Sequence, residues 1–152
     1  MPKSPSSTYT EQVQILTQSM INGSGRLFGG QLLQWIDIAA AVAARRHAEC
    51  NVTTARIDAL EFHAPAYPND LVVLAAKLTY VGRSSMEVRV ESFVERLDGK
   101  RELINTAYVT MVALGEDGRS CAVEPLAPET DEEKADFEAG HRRYLERKAA
   151  KK

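Results

Sequence analysis

The chain is short of the residues that mark several common protein classes. Two cysteines among 152 residues, Cys50 and Cys121, are too few for a disulfide framework and have no second pair at metal-ligand spacing. They read as reduced structural thiols, and no metal site is expected. Positive charge is not in excess: the net charge is −2, which argues against bulk attraction to nucleic acid. A highly charged ligand would therefore need a local basic cluster. Residues 1–7, Met-Pro-Lys-Ser-Pro-Ser-Ser, lack the apolar core of a secretory signal and predict a loose tail on a cytoplasmic protein. The longest apolar run, Leu27 to Ala44, sits at the lower limit for a membrane span. Gln31, Gln34 and Asp37 interrupt it, so it reads as a buried helix. None of the three histidines stands beside a serine or cysteine in a nucleophile motif, which leaves Ser-His-Asp chemistry without support.

What is present is enough chain for one domain, organised around the stretch from Asn22 to Arg45. Apolar residues fill every side of its helical wheel, which predicts a helix wrapped by protein all round. One acid, Asp37, lies in its middle, and an ionised carboxylate removed from water costs several kcal/mol unless it is compensated. Gly29 and Gly30 open the helix. Its first backbone N–H groups have no intrahelical partner, and glycine lets a ligand approach them closely. An acid and an anion-stabilising helix start suit attack on an activated carbonyl. Gly30 and Asp37 are seven residues apart, about 10 Å along the axis, so one carbonyl cannot touch both. Two such helices packed antiparallel across a two-fold axis would bring Asp37 of one subunit to Gly30 of the other, which predicts a shared site.

The run Asn22-x-x-Gly25-x-x-Phe28-Gly29-Gly30-x-x-Leu33-x-Trp35-x-Asp37, with Arg45-Arg46-His47, Phe62-x-x-Pro65 and Val81-Gly-Arg-Ser-Ser-Met86, resembles the acyl-CoA thioester hydrolases of the hotdog-fold superfamily. The resemblance covers about residues 8–114, and Asn69-Asp70 departs from the family's usual Gly-Asp. It implies hydrolysis of acyl-CoA to a free acid and coenzyme A. Asp37 would act as general base or as nucleophile, Gly30 N–H would hold the oxyanion, and Asn22 would orient water or the carbonyl. On spacing alone Asn22 equally suits a turn with Gly23. Phe28 and Gly29 fall among the substrate-binding positions, and Gly82, Arg83, Ser84 and Ser85 near the nucleotide of coenzyme A. No cofactor is implied beyond the coenzyme A of substrate and product. A homodimer is the minimum assembly, with a trimer of dimers by analogy.

The remaining sequence predicts strands over 9–19, 52–62, 70–81, 84–97 and 101–114, with a tight turn at Asp98-Gly99. Met86, Val88, Val90 and Val94 alternate with Glu87, Arg89, Glu91 and Glu95, predicting one solvent-facing side. A long helix beside antiparallel strands is an α+β design, the sheet wrapping the helix as in the hotdog fold. Arg56 and Asp58 suit a local ion pair. His47, at the helix end, suits the dipole as a cation; His63 follows a strand near the expected pocket, and His141 lies in the tail. From Thr130 a capping box, Thr-Asp-Glu-Glu133, opens a C-terminal helix with Phe137, His141, Tyr144 and Leu145 on one stripe. The expected organisation is a tail (1–7), a hotdog domain (8–124) and a helical appendage (125–152). A hotdog dehydratase would carry a histidine near the helix start, and residues 20–37 hold none. A non-catalytic acyl-CoA sensor is the alternative, opposed by the acid kept in an apolar helix.

Overall fold

The computed structural model describes residues 2–58 and 61–150. Five strands form one antiparallel sheet: β1 (Thr10–Ile15), β2 (Asn51–Asp58), β3 (Leu71–Val81), β4 (Ser85–Glu95) and β5 (Arg101–Leu114), in the order β1-β3-β4-β5-β2. The sheet curls around α1 (Gly29–Ala48), and α2 (Asp131–Ala150) lies on its outer face. This is the expected hotdog arrangement with a C-terminal helix. The strand predicted over 52–62 ends at Asp58; of its remainder, 59–60 lie outside the described residues, and Glu61 and Phe62 are not in a strand.

The inward residues of the strands, including Val72, Leu74, Val88, Val90, Val109 and Met111, pack against Leu32, Trp35, Ile36, Ala39, Ala40 and Ala43 of α1. The alanines let the sheet approach the helix closely. That burial covers only part of α1. Gly30, Gln34, Ile38 and Arg45 are exposed and Ala41 and Val42 half-buried, a stripe at helical spacing along its length. The expectation of a helix wrapped all round is corrected: its own chain covers one side. The open stripe borders β2, an edge strand exposed at most of its eight positions.

α2 explains a second departure. Glu87 and Arg89 lie on the side of β4 predicted to face water, yet Glu87 is only 2% exposed. Arg143 grips its carboxylate through Nε and Nη2 at 2.9 and 2.8 Å, and Arg89 pairs with Asp136 at 3.0 Å. A polar sheet face can thus be covered when the covering helix brings matching charges. Tyr80 packs against Phe137, His141 and Tyr144, so three of the four stripe residues dock; Leu145 is half exposed. The capping box forms, with Glu133 N–H donating to Thr130 Oγ1 and Thr130 N–H to Glu133 Oε1.

The N-terminal segment is anchored where the sequence predicts a loose tail. Ser6 donates its N–H and hydroxyl to Glu133 Oε2, and Lys3 Nζ donates to the carbonyls of Arg46 and His47 at the end of α1. Lys3 therefore supplies the cation expected of His47. His47 is fully buried, burial pushes its imidazole below the usual pKa, and Nε2 lies 2.7 Å from the Glu124 carbonyl.

Candidate active site

α1 begins with a backbone opening onto solvent. Phe28 is its N-cap and offers no side-chain cap; its carbonyl takes the N–H of Gln31 and Leu32. Among the described residues, the N–H groups of Gly29 and Gly30 in the first turn have no hydrogen-bond acceptor. A Cβ on Gly30 would stand 2.7 Å from the ring of Phe28, and one on Gly29 would touch the ring of Phe62 at 3.9 Å. A side chain at Gly30 would displace the exposed Phe28 ring, and two aromatic rings flank the helix start.

Asn22 lies beside this opening. Its Oδ1 accepts the N–H groups of Ser24 and Arg26 at 2.9 and 3.2 Å, so the turn-forming role is real. The same bonds fix the amide plane and leave Nδ2 free to donate, since no bond within the described chain uses it. Asn22, Arg26, Gly29, Phe62, His63 and Pro65 line a cleft of about 370 Å³. Asn105 holds the far wall through Nδ2 to the Glu61 carbonyl, and His63 N–H donates to Ile104 O.

Asp37 stands two turns along α1, half-buried beside the open stripe. Thr54 Oγ1, reaching across from β2, donates to Asp37 Oδ1 at 2.5 Å. One carboxylate oxygen is thereby fixed and the other left available. Sequence reasoning missed Thr54: nothing in Thr53-Thr54 says which hydroxyl faces the helix. Gly82–Ser85 forms a tight turn at the sheet end, closed by Gly82 N–H to Ser85 O at 2.8 Å, with Arg83 exposed. It does not line the Asn22 cleft of its own chain. Within one chain, then, Asn22, Phe28, Gly29 and Gly30 cluster, while Asp37 and the Arg83 turn lie apart from them.

Residues 24–98 match the Thioesterase superfamily. An uncharacterized acyl-CoA thioester hydrolase of Bacillus subtilis is 35% identical over 99% of this chain and 91% of its own length. The chain belongs to the acyl-CoA thioester hydrolases. It also aligns with the human cytosolic acyl coenzyme A thioester hydrolase at 31% identity, spanning 97% of this chain and 40% of that protein. Among solved hydrolases of the family, that of Staphylococcus aureus, in complex with butyryl coenzyme A, coenzyme A and coenzyme A disulfide, superimposes with a TM-score of 0.90 at 32% identity. The match covers 99% of this chain and 93% of that one. The same hydrolase has been solved with an aspartate, an asparagine or a threonine replaced by alanine. An apo-hexameric acyl-CoA thioesterase matches with a TM-score of 0.90 at 33% identity, over 99% of this chain and 97% of that one.

Proposed function

We propose that this acyl-CoA thioester hydrolase runs its reaction between two subunits, with Asp37 of one facing Gly30 of the partner subunit. Asp37 takes a proton from the attacking water through the oxygen that Thr54 leaves free. The uncapped Gly29 and Gly30 N–H groups receive the charge that develops on the thioester oxygen, and Asn22 Nδ2 donates to the carbonyl or the water. The Gly82–Ser85 turn, with the Arg83 fork, takes the nucleotide phosphates. The products are the carboxylic acid and the coenzyme A thiol.

The observation that carries this reading is the Thr54–Asp37 hydrogen bond beside the open stripe of α1. A carboxylate oriented by a hydroxyl donor beside an uncovered surface suits a reaction at that surface. The substituted residues of the Staphylococcus aureus hydrolase run asparagine, aspartate, threonine, spaced by 15 and 17 residues. Asn22, Asp37 and Thr54 have the same order and the same spacings. The assembly follows from exposed surface: the β2 edge and the α1 stripe adjoin, so one antiparallel partner covers both. The dimer and a trimer of dimers belong to this proposal, the latter in keeping with a relative that is hexameric, as does a cytoplasmic setting, consistent with the two free thiols. No helix of the described residues is long and apolar enough to cross a membrane.

The test is thiol release from short-, medium- and long-chain acyl-CoAs by the wild type and by Asp37→Ala of verified fold and oligomer size. Release that collapses in the variant supports the assignment. Full activity without Asp37 removes it from the chemistry, and acyl-CoA binding without release by the wild type favours a sensor.

A further inference from the structure

The Gly82–Ser85 turn is met by an element that the reaction just described leaves unused. Tyr144 of α2 lies against it: a Cβ on Gly82 would stand 3.8 Å from Tyr144 Cε1 and Cζ, the latter being the carbon that bears the phenol hydroxyl. One helical turn further on, Lys148 Nζ stands 4.9 Å from the centroid of the Tyr144 ring. The Tyr144 phenol thus lies beside the turn, and the exposed Lys148 ammonium stands over its ring.

The turn itself has donors to spare. Arg83 O and Ser84 O accept the N–H groups of Val123 and Ala113, which fixes the backbone. The N–H groups of Arg83 and Ser84, and the exposed Arg83 guanidinium, make no hydrogen bond among the described residues. The nearby acid, Glu87, is already bound by Arg143 and by the Thr79 hydroxyl. It does not oppose an incoming anion. Arg83 of the turn is exposed, and Lys148 of α2 stands over the Tyr144 ring that packs on it. A chain of net charge −2 has here the local basic cluster that a multiply charged ligand requires.

We propose that Tyr144 and Lys148 bind the phosphate-bearing nucleotide end of coenzyme A together with the Gly82–Ser85 turn, making the C-terminal helix part of the substrate site. The proposal rests on the thioesterase reading above. Lys148 acts as a mobile point charge and Arg83 as a planar fork, so the two suit different phosphate groups.

Three thioesters test it: butyryl-CoA, butyryl-dephospho-CoA, which lacks the 3′-phosphate, and S-butyryl-N-acetylcysteamine, which lacks the nucleotide. Lys148→Glu changes an exposed side chain, and Tyr144→Phe removes one hydroxyl while keeping the ring that packs on Tyr80. Lys148→Glu is expected to raise KM for butyryl-CoA about three- to tenfold at low ionic strength. It is expected to lower the ratio of kcat/KM for butyryl-CoA to that for the N-acetylcysteamine thioester by a similar factor, with the effect shrinking as salt is added. Tyr144→Phe is expected to shift the ratio in the same direction by less. An unchanged KM for butyryl-CoA, or an equal loss on all three substrates, overturns the assignment. If the wild type releases thiol from none of them, the thioesterase reading fails separately, and calorimetric titration with coenzyme A decides this one: weaker binding by Lys148→Glu supports it, and equal binding overturns it.

Discussion

Thr54→Val is the most informative single substitution, because it removes one donor and little else. Valine keeps the branched shape and favours a strand, so β2 should survive the change. What is lost is an O–H donated to a carboxylate at 2.5 Å. A hydrogen bond to a charged group contributes about 1.5–3 kcal/mol. If that interaction holds Asp37 in its reactive orientation, kcat should fall about ten- to 150-fold, at 1.36 kcal/mol per tenfold. Thr54 touches the acid rather than the substrate, so KM should change little, and kcat and kcat/KM should fall together. The assay is continuous detection of coenzyme A thiol from butyryl-CoA, with thermal unfolding and oligomer size measured alongside. Thr54→Ser, which keeps the hydroxyl, should recover much of the rate. A Thr54→Val enzyme with wild-type kcat would refute the idea that Thr54 orients the Asp37 carboxylate for the reaction; a rise in KM alone would move Thr54 to the substrate.

Three further outcomes follow from packing and charge. Gly140→Ala should destabilise the protein by about 1–3 kcal/mol in denaturant titration, because the added Cβ would stand 2.6 Å from Tyr80 Cβ and 2.8 Å from Glu87 Oε1. Helix propensity alone predicts a gain of about 1 kcal/mol, so a stabilised variant would show that α2 can lift from the sheet. Glu133 is held at a pKa of about 2, first by the Ser6 hydroxyl and then by the backbone N–H groups of Glu129, Thr130 and Ser6. That lowered value contributes stability above the ordinary 4.5 which is lost as pH falls towards 2. Glu133→Gln should therefore be less stable at pH 7 by about 1–3 kcal/mol, with the gap closing over that acid window; a gap independent of pH would refute it. His47 has its pKa depressed by burial, so the unfolded chain binds the proton first, and stability should fall as pH drops below about 6.5. His47→Gln can still donate to the Glu124 carbonyl and should flatten that part of the pH profile; an identical slope would assign it to another group.

Features set by local pattern were legible in the sequence. The glycine opening of α1, the Thr130–Glu133 capping box and the Arg56–Asp58 pair each depend on residues within a few positions of one another, and each forms in the structure. Features set by what lies across the fold were not. Glu87 and Arg89 alternate as solvent-facing residues do, and only Arg143 and Asp136, far along the chain, make their burial tolerable. Thr54 and Thr53 are equivalent in composition; the register of β2 on β5 and the position of α1 decide which hydroxyl meets Asp37. Ser6 and Lys3 looked like tail residues because their acceptors, Glu133 and the end of α1, are distant in sequence. The Asn22 turn was legible, but the orientation it imposes on the amide is a property of the folded loop.

The expectation that protein wraps α1 all round is not met by its own chain, and the mismatch points beyond it. A helix patterned for burial all round, but covered on one side only, calls for a second cover. The uncovered stripe starts at Gly30 and passes beside Asp37 to Arg45. Along this axis the free donors of Gly30 and the carboxylate lie about 10 Å apart, too far to act on one carbonyl. The antiparallel partner helix of the proposed dimer would resolve both difficulties with one placement, covering Ile38 and Val42 while setting each carboxylate opposite the other subunit's donors. Burial of the stripe and completion of the site are then a single event. On the proposed shared site, a lone subunit exposes apolar surface and holds half a reaction centre, which makes assembly a condition of the chemistry as well as of stability.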